Sequence, residues 1–159
     1  MKVSIRPIRP EDERGLGEFF RNLSHRSRQR RFHGGLNELP PDLVARFVRP
    51  DKRAETALVA VVARGGRDAL IGEARYVVSN SSTRDAEIAI AVADAAQGRG
   101  LGKRLLRGLL RRAAANKIAR LYGDVAPDNG AMLALASAFG FRQRRDPTDA
   151  RLLLVERSL

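Results

Sequence analysis

Residues 85–113 read DAEIAIAVADAAQGRGLGKRLLRGLLRRA. Asp85 to Val92 is a sheet-grade apolar run. From Leu101 onward, Leu105, Leu106, Leu109, Leu110 and Ala113 fall on one helical face, while Lys103, Arg104, Arg107, Arg111 and Arg112 occupy the other. Between strand and helix lies Gln97-Gly98-Arg99-Gly100-Leu101-Gly102-Lys103. A strand that turns through glycines into a helix gathers free backbone N–H groups and the positive end of the helix dipole at one point, which favours a phosphate. Two common phosphate loops do not fit. A Walker A loop needs glycine where Gln97 stands and Ser or Thr where Arg104 stands. The dinucleotide pattern places its third glycine on Lys103 when counted from Gly98, and on Leu105 when counted from Gly100. A tight strand-to-helix turn with no ligand remains open on spacing alone.

Upstream, Val3 to Ile8 alternates apolar and polar residues until Pro10 stops it, and Glu11, Asp12 and Glu13 suit the first turn of a helix running to about Asn22. Ser24 to Arg31 reads as a second short helix ended by Gly34-Gly35, and Asp42 to Val48 as a third. Thr56 to Arg64 is apolar on both faces, as a central strand should be, and Gly65-Gly66 turns it into Leu70 to Ser79. Downstream come a strand at Arg120–Val125, a helix from Asn129 to Phe139 closed by Gly140, and a hairpin of Phe141–Arg145 with Arg151–Glu156. The order is that of an α+β fold with antiparallel neighbours and one strand-helix-strand crossover around the glycine loop.

The 159 residues fit one domain spanning 1–159. A net charge of +12, carried mostly by arginine, raises a polyanionic partner, whereas 43% hydrophobic residues are too many for a disordered basic tail. Nucleic acid is the weaker reading, because aromatics make up 5%, tryptophan is absent and no recognition motif is present. With no cysteine there is no thiolate zinc site and no cysteine nucleophile. His25 and His33 have no carboxylate nearby at ligand spacing, so no metal is expected. The longest apolar run, Ala57 to Ala63, is far short of the roughly 20 residues that span a bilayer, and the first residues do not resemble a secretion signal, so a cytoplasmic protein without membrane contact is expected. The bases cluster in two patches, one between Glu18 and Glu38 and one between Asp94 and Asp124.

Gln97-x-x-Gly100-x-Gly102 after a strand resembles the acetyl-CoA pyrophosphate loop of the GNAT superfamily of N-acetyltransferases, and Asn129 followed by Met132, Leu135 and Gly140-Phe141 resembles the second half of the same domain. Within that superfamily the chain is most similar to the catalytic domain of bacterial Pat-type protein-lysine acetyltransferases. The matching features are the opening Ile5-Arg6-Pro7-Ile8-Arg9-Pro10-Glu11-Asp12, Ser27-Arg28 before Arg31-Phe32, Gly72-Glu73-Ala74-Arg75-Tyr76 and Ala86-Glu87. The resemblance implies a mixed, mostly antiparallel sheet of six to seven strands flanked by helices. It also implies acetyl-CoA as donor cosubstrate and an amine acceptor, with a protein lysine preferred over a small amine.

Such a reaction needs a neutral amine, and a free lysine with a pKa of about 10.4 is almost wholly protonated at neutral pH, so a base must act. By the resemblance Glu87 is that base, with Glu73 the runner-up. On a regular strand Glu87 shares its face with Ala89 and Ala91, two small side chains that leave room for a substrate; the family's bulge in this strand would shift that parity. The resemblance further assigns Ile90 and Val92 to backbone pairing with the pantetheine arm. It assigns Gln97, Gly98, Arg99, Gly100, Leu101, Gly102 and Lys103 to the pyrophosphate, and Asn129 to the arm as well as to the helix N-cap. Many members carry a thiolate-protonating tyrosine seven residues after that asparagine, where this chain has Ala136. The patch from Arg21 to Arg31 falls where relatives build the acceptor wall. With no cysteine to form an acyl-enzyme, direct attack in a ternary complex follows. A silent acetyl-CoA sensor stays open because of Ala136, as does a homodimer.

Overall fold

The computed structural model describes residues 2–33 and 39–159, so the helix-ending role expected of Gly34-Gly35 lies outside the described residues. Seven strands run β1 (Ser4–Pro7), β2 (Glu55–Arg64), β3 (Arg67–Asn80), β4 (Asp85–Val92), β5 (Arg120–Val125), β6 (Arg142–Arg145) and β7 (Leu153–Ser158). The helices are α1 (Glu13–Asn22), α2 (His25–Phe32), α3 (Pro41–Phe47), α4 (Leu101–Ala115) and α5 (Gly130–Ala138). The strands form one sheet in the order β1-β2-β3-β4-β5-β7-β6, and every neighbouring pair is antiparallel except β4 with β5, which α4 connects.

The apolar run in β2 is continuous because each face meets a different core. Leu58, Ala60 and Val62 join Leu105, Leu106 and Leu109 of α4, whereas Ala57, Val59 and Val61 join Leu16, Phe19 and Phe20 of α1 and Val44 of α3. The three α4 leucines are fully buried, each contributing about 1.5–3 kcal/mol of transfer free energy. On the α1 side, Arg6 makes a bidentate bond to Asp12, both distances 2.8 Å, while the Arg9 N–H donates to the same carboxylate at 2.8 Å. Although Asp12 is buried, these donors hold its carboxyl below the usual range. One residue of the expected acidic first turn is therefore consumed in joining β1 to α1.

Near the cavity the structure refines the sequence expectation. A 3-10 turn at Asp94–Ala96 follows β4. The hairpin strand starts at Leu153 instead of Arg151, because Asp146 accepts from the N–H groups of Thr148 and Asp149 and draws the intervening residues into a turn. The register of β4 against β3 is one-to-one from Ala86 to Val92, and the irregularity lies between Val78 and Asn80 of β3. No bulge therefore shifts the parity of Glu87, Ala89 and Ala91 within β4. No helix among the described residues is long and apolar enough to cross a membrane.

Candidate active site

The parallel ladder between β4 and β5 has three residue pairs, Asp85–Arg120, Ala86–Leu121 and Glu87–Tyr122, after which the strands part. Gly123 permits the close approach at the point of parting: a Cβ there would stand 3.1 Å from Ile88 Cγ1 and 3.2 Å from the Ile88 carbonyl oxygen. Ala93 donates its N–H to Ile71 on β3 at 2.8 Å. Backbone groups alternate along a strand, so those of Ile90 and Val92 point the other way, into the opening. The Val92 carbonyl accepts from Gln97 Nε2 at 3.0 Å. Ile90 faces a gap where a strand would otherwise lie.

Past the 3-10 turn, Gly98 and Gly100 take positive φ, 77° and 78°, a conformation that only glycine adopts without strain. Gly100 is the N-cap of α4 and supplies no capping side chain, which leaves the first N–H groups of the helix pointing outward. Gly102 brings α4 against Leu135 of α5, which a Cβ would approach to 3.2 Å.

A cavity of about 470 Å³ runs through the parting of the strands. Glu87, Ile90, Val92, Gln97, Gly98, Gly100, Leu101, Gly102, Lys103 and Asn129 all line it, whereas Arg99 is exposed and does not. Leu101 is itself a core residue, 4% exposed, so its side chain is unavailable to a ligand. Asn129 caps α5 by accepting from the Met132 N–H at 3.2 Å. Ser27, Arg30, Arg31 and His33 of α2 and its C-cap also line it.

The two candidate bases separate sharply. Glu87 is exposed to the cavity, and its side chain has no hydrogen bond among the described residues. Glu73, the runner-up, is 0% exposed and bonded by Arg31 Nε at 2.7 Å and Arg75 Nε at 3.0 Å, one arginine on each oxygen. Burial raises its pKa, but the two guanidinium groups outweigh burial and hold the carboxyl below its usual range. Glu73 is a fixed anion with no free lone pair facing solvent, and it cannot serve as the base.

Arg31, the last residue of the patch expected to form the acceptor wall, turns inward, its side chain 8% exposed. Its guanidinium lies 4.7 Å from the Phe32 ring centroid and 5.9 Å from those of Phe20 and Phe47, with Arg75 stacked 4.1 Å from Phe47. Arg28 donates to the Arg21 carbonyl at 3.2 Å, and Arg30 reaches across to the Asp128 carbonyl at 3.2 Å. On the outer face of α4, Arg104 donates to the Val3 carbonyl at 3.1 Å and Arg107 stacks on Phe139, leaving Arg111 and Arg112 facing solvent.

Helix α2 is tied to the glycine loop. Asp94 accepts from Ser24 N at 3.0 Å, Ser24 Oγ at 2.9 Å and Ser27 Oγ at 3.0 Å, while Gln97 Nε2 reaches Ser27 Oγ at 3.5 Å. Sequence reading missed this bridge, which spans about 70 residues, and it also missed Asp124. That residue lines the cavity on β5, where burial first, then a hydrogen bond and charge from Asp146, push its pKa up to about 7. Ala136 is fully buried and Ser137 of α5 does not line the cavity, so α5 offers it no hydroxyl. Tyr76 is also buried, and its hydroxyl accepts from Asn116 Nδ2 at 2.7 Å. Tyr122 lies beneath Arg120. Among the described residues there is no cluster of side chains fit to hold a metal ion.

Comparison with known proteins places this geometry in context. The model of the acetyltransferase (GNAT) family matches residues 21–141. An acetyltransferase of Pseudomonas aeruginosa is 34% identical over 148 residues, 93% of this chain and 79% of its own. The GNAT domain of S. lividans PAT superposes with a TM-score of 0.88 at 27% identity, covering 99% of this chain and 90% of that one. A phosphinothricin acetyltransferase from Sinorhizobium meliloti, solved in complex with acetyl-CoA, shares the fold with a TM-score of 0.74 at 21% identity, over 100% of this chain and 89% of that one.

Proposed function

The chain belongs to the acetyltransferase (GNAT) family, and from that premise we propose that it moves an acetyl group from acetyl-CoA to the ε-amine of a protein lysine, in the cytoplasm. The observation that carries the donor half is the unpaired edge of β4 ending at the bare N-terminus of α4. The N–H groups at Gly98–Lys103 receive the pyrophosphate, with Lys103 adding charge. The pantetheine arm lies along β4 in place of the missing strand and pairs with the backbone of Ile90 and Val92, with Asn129 beside it. The resemblance read from the sequence also gave Arg99 to the pyrophosphate; its exposed position outside the cavity suits a weaker, peripheral contact.

An arm running from Val92 back toward Ile88 delivers the thioester to the narrow end of the opening, beside Glu87. There Glu87 takes a proton from the acceptor ammonium, directly or through a water, and the free amine attacks the thioester carbonyl. A lysine arm suits the approach, since its methylene stem passes Ala89 and Ala91 before the nitrogen reaches the carboxylate. Arg30 of α2 lines the cavity and the exposed Arg26 stands near it, 4.0 Å from Asp128, a surface that attracts a lysine set among acidic residues.

Mass spectrometry of a lysate incubated with acetyl-CoA and the active protein tests the acceptor. Acetyl-lysines enriched for acidic neighbours are expected; thiol release with small amines alone, and no protein acetylation, rejects the lysine reading. Reversing Arg26 and Arg30 to glutamate, with the buried Arg31 left intact, should raise acceptor KM about 3- to 10-fold at low salt and much less at high salt. An unchanged KM would remove the role of the patch.

A further inference from the structure

The parting of β4 and β5 is flanked by a carboxyl on each arm. On β4 it is Glu87, the last residue paired to β5. On β5, Tyr122 is the last paired residue, Gly123 has no side chain, and Asp124 follows on the same face of the sheet as Tyr122 and hence as Glu87. Both carboxyls line the cavity.

Asp124 has a partner. Asp146, at the end of β6, is 5% exposed, and its Oδ1 accepts from Thr148 N at 2.8 Å, Thr148 Oγ1 at 2.8 Å and Asp149 N at 3.2 Å. The Asp124 side chain lies against the same carboxylate. Two carboxyl groups held side by side keep one proton rather than both ionise. Three other donors already fix Asp146 as an anion, so the proton belongs to Asp124. The remaining charges that face Asp124 are the acidic Glu87 on β4 and Asp149 in the β6–β7 turn, both of which favour its neutral form. The basic groups that line the cavity are Arg30, Arg31 and His33 of α2 and its C-cap and Lys103 of α4.

We propose that Asp124, held by Asp146, is the proton donor to the departing thiolate. The proposal rests on the acetyl-transfer reading of the cavity. In the transfer, the amine nitrogen forms its bond to the carbonyl carbon while the C–S bond breaks and leaves its electron pair on sulfur. The Asp124 proton passes to that sulfur. Of the two protons lost by the ammonium, one goes by way of Glu87 to solvent and the other restores Asp124 through solvent. A carboxyl on β5 thereby does what α5, with Ala136 in its core, cannot.

Two measurements test this on the whole chain. The first is the pH dependence of kcat with acetyl-CoA and an accepted amine, for the wild type and for Asp124→Asn, Asp124→Glu and Asp146→Asn. An acid that must be protonated gives an alkaline fall near its bound pKa. The wild type should show that fall near pH 7. Asp124→Asn should lose the fall along with roughly 10²-fold in kcat, at an acetyl-CoA Kd within about twofold of wild type. Asp124→Glu should restore part of the rate, and Asp146→Asn should move the fall to lower pH.

The second measurement is carbon-13 NMR titration of the side-chain carboxyls without substrate, in which Asp124 should titrate near 7 and fall in Asp146→Asn. A fall that survives Asp124→Asn overturns the donor role. So does a wild-type kcat that climbs through pH 7 and stops climbing in Asp124→Asn, because that is the signature of a base. Ordinary titration of Asp124 in an active enzyme rejects the donor role alone. Titration near 7 with no turnover on any amine or protein rejects the acetyl-transfer reading, and the donor role with it.

Discussion

Glu73 and Glu87 stand on adjacent strands of one sheet, both on the face that α2 covers, yet their surroundings assign them opposite tasks. Around Glu73 every valence is spoken for: two arginines bond its oxygens, and three phenylalanines pack against those arginines. Around Glu87 the sheet has come apart, and the carboxylate faces open space. The closed region anchors α2 from below, and the open region uses the wall that α2 provides. A carboxylate is thus made structural by what crosses over it and reactive by what fails to.

The largest expected effect comes from the closed region. Glu73→Gln or Arg31→Met leaves a buried charge without its partner and should cost about 3–5 kcal/mol in urea unfolding. Glu87→Gln should stay within about 0.5 kcal/mol of wild type. A Glu73→Gln loss below about 1 kcal/mol would erase the contrast. The pH dependence has the matching sign: with its folded pKa held below the ordinary 4.5, the Glu73 contribution is complete above that value and fades as pH falls beneath it.

In activity the ranking should invert. Glu87→Gln should lower kcat by roughly 10²-fold or more, with acetyl-CoA binding retained in calorimetry; near-normal turnover across the pH range would dismiss Glu87 as the base.

A smaller effect separates the regions by stability alone. Asp124 has its folded pKa raised from 3.8 to about 7, so it costs stability as pH climbs through that window. Asp124→Asn should therefore raise Tm at pH 8, by on the order of 1 kcal/mol or roughly 2–4 °C for a chain of this size, and leave Tm at pH 4 unchanged. A lowered Tm at pH 8 would mean that the carboxyl is comfortably ionised.

The smallest effect concerns the bridge between the two substrate sites. Asp94→Ala removes three exposed hydrogen bonds that seat α2 on the glycine loop. It should raise acceptor KM about threefold with kcat nearly intact, as read from initial rates at saturating acetyl-CoA. An effect on acetyl-CoA affinity alone would show that α2 is seated by other contacts.

Much of the scaffold was legible before any coordinates. Gly65-Gly66 joins β2 to β3, and Asp85–Val92 and Arg120–Val125 are strands with the bounds that the apolar pattern implies, because those signals are local. The glycine loop was legible for the same reason, since glycine spacing and the amphipathic helix behind it sit in one short segment. The polar partnerships were not. Arg31 meets Glu73 across 42 residues, and Asp124 meets Asp146 only through the register of three strands. Charge counts placed Arg31 in a basic patch at the acceptor wall; its three aromatic neighbours come from three different helices, which no periodicity reveals.

The sheet has two outer edges besides the unpaired stretch of β4, and an unpaired edge invites the strand of another molecule. At one margin β6 reads Arg-Gln-Arg-Arg, all exposed, and like charges on neighbouring copies repel. At the other, β1 is four residues long and ends in Pro7, which has no N–H to offer. The apolar stretch from Ile88 to Val92 has neither guard, and it is screened by position instead, recessed among α2, α4 and α5. Edge-to-edge strand pairing is thus discouraged by charge and proline where the sheet is reachable, and by enclosure where it must stay adhesive.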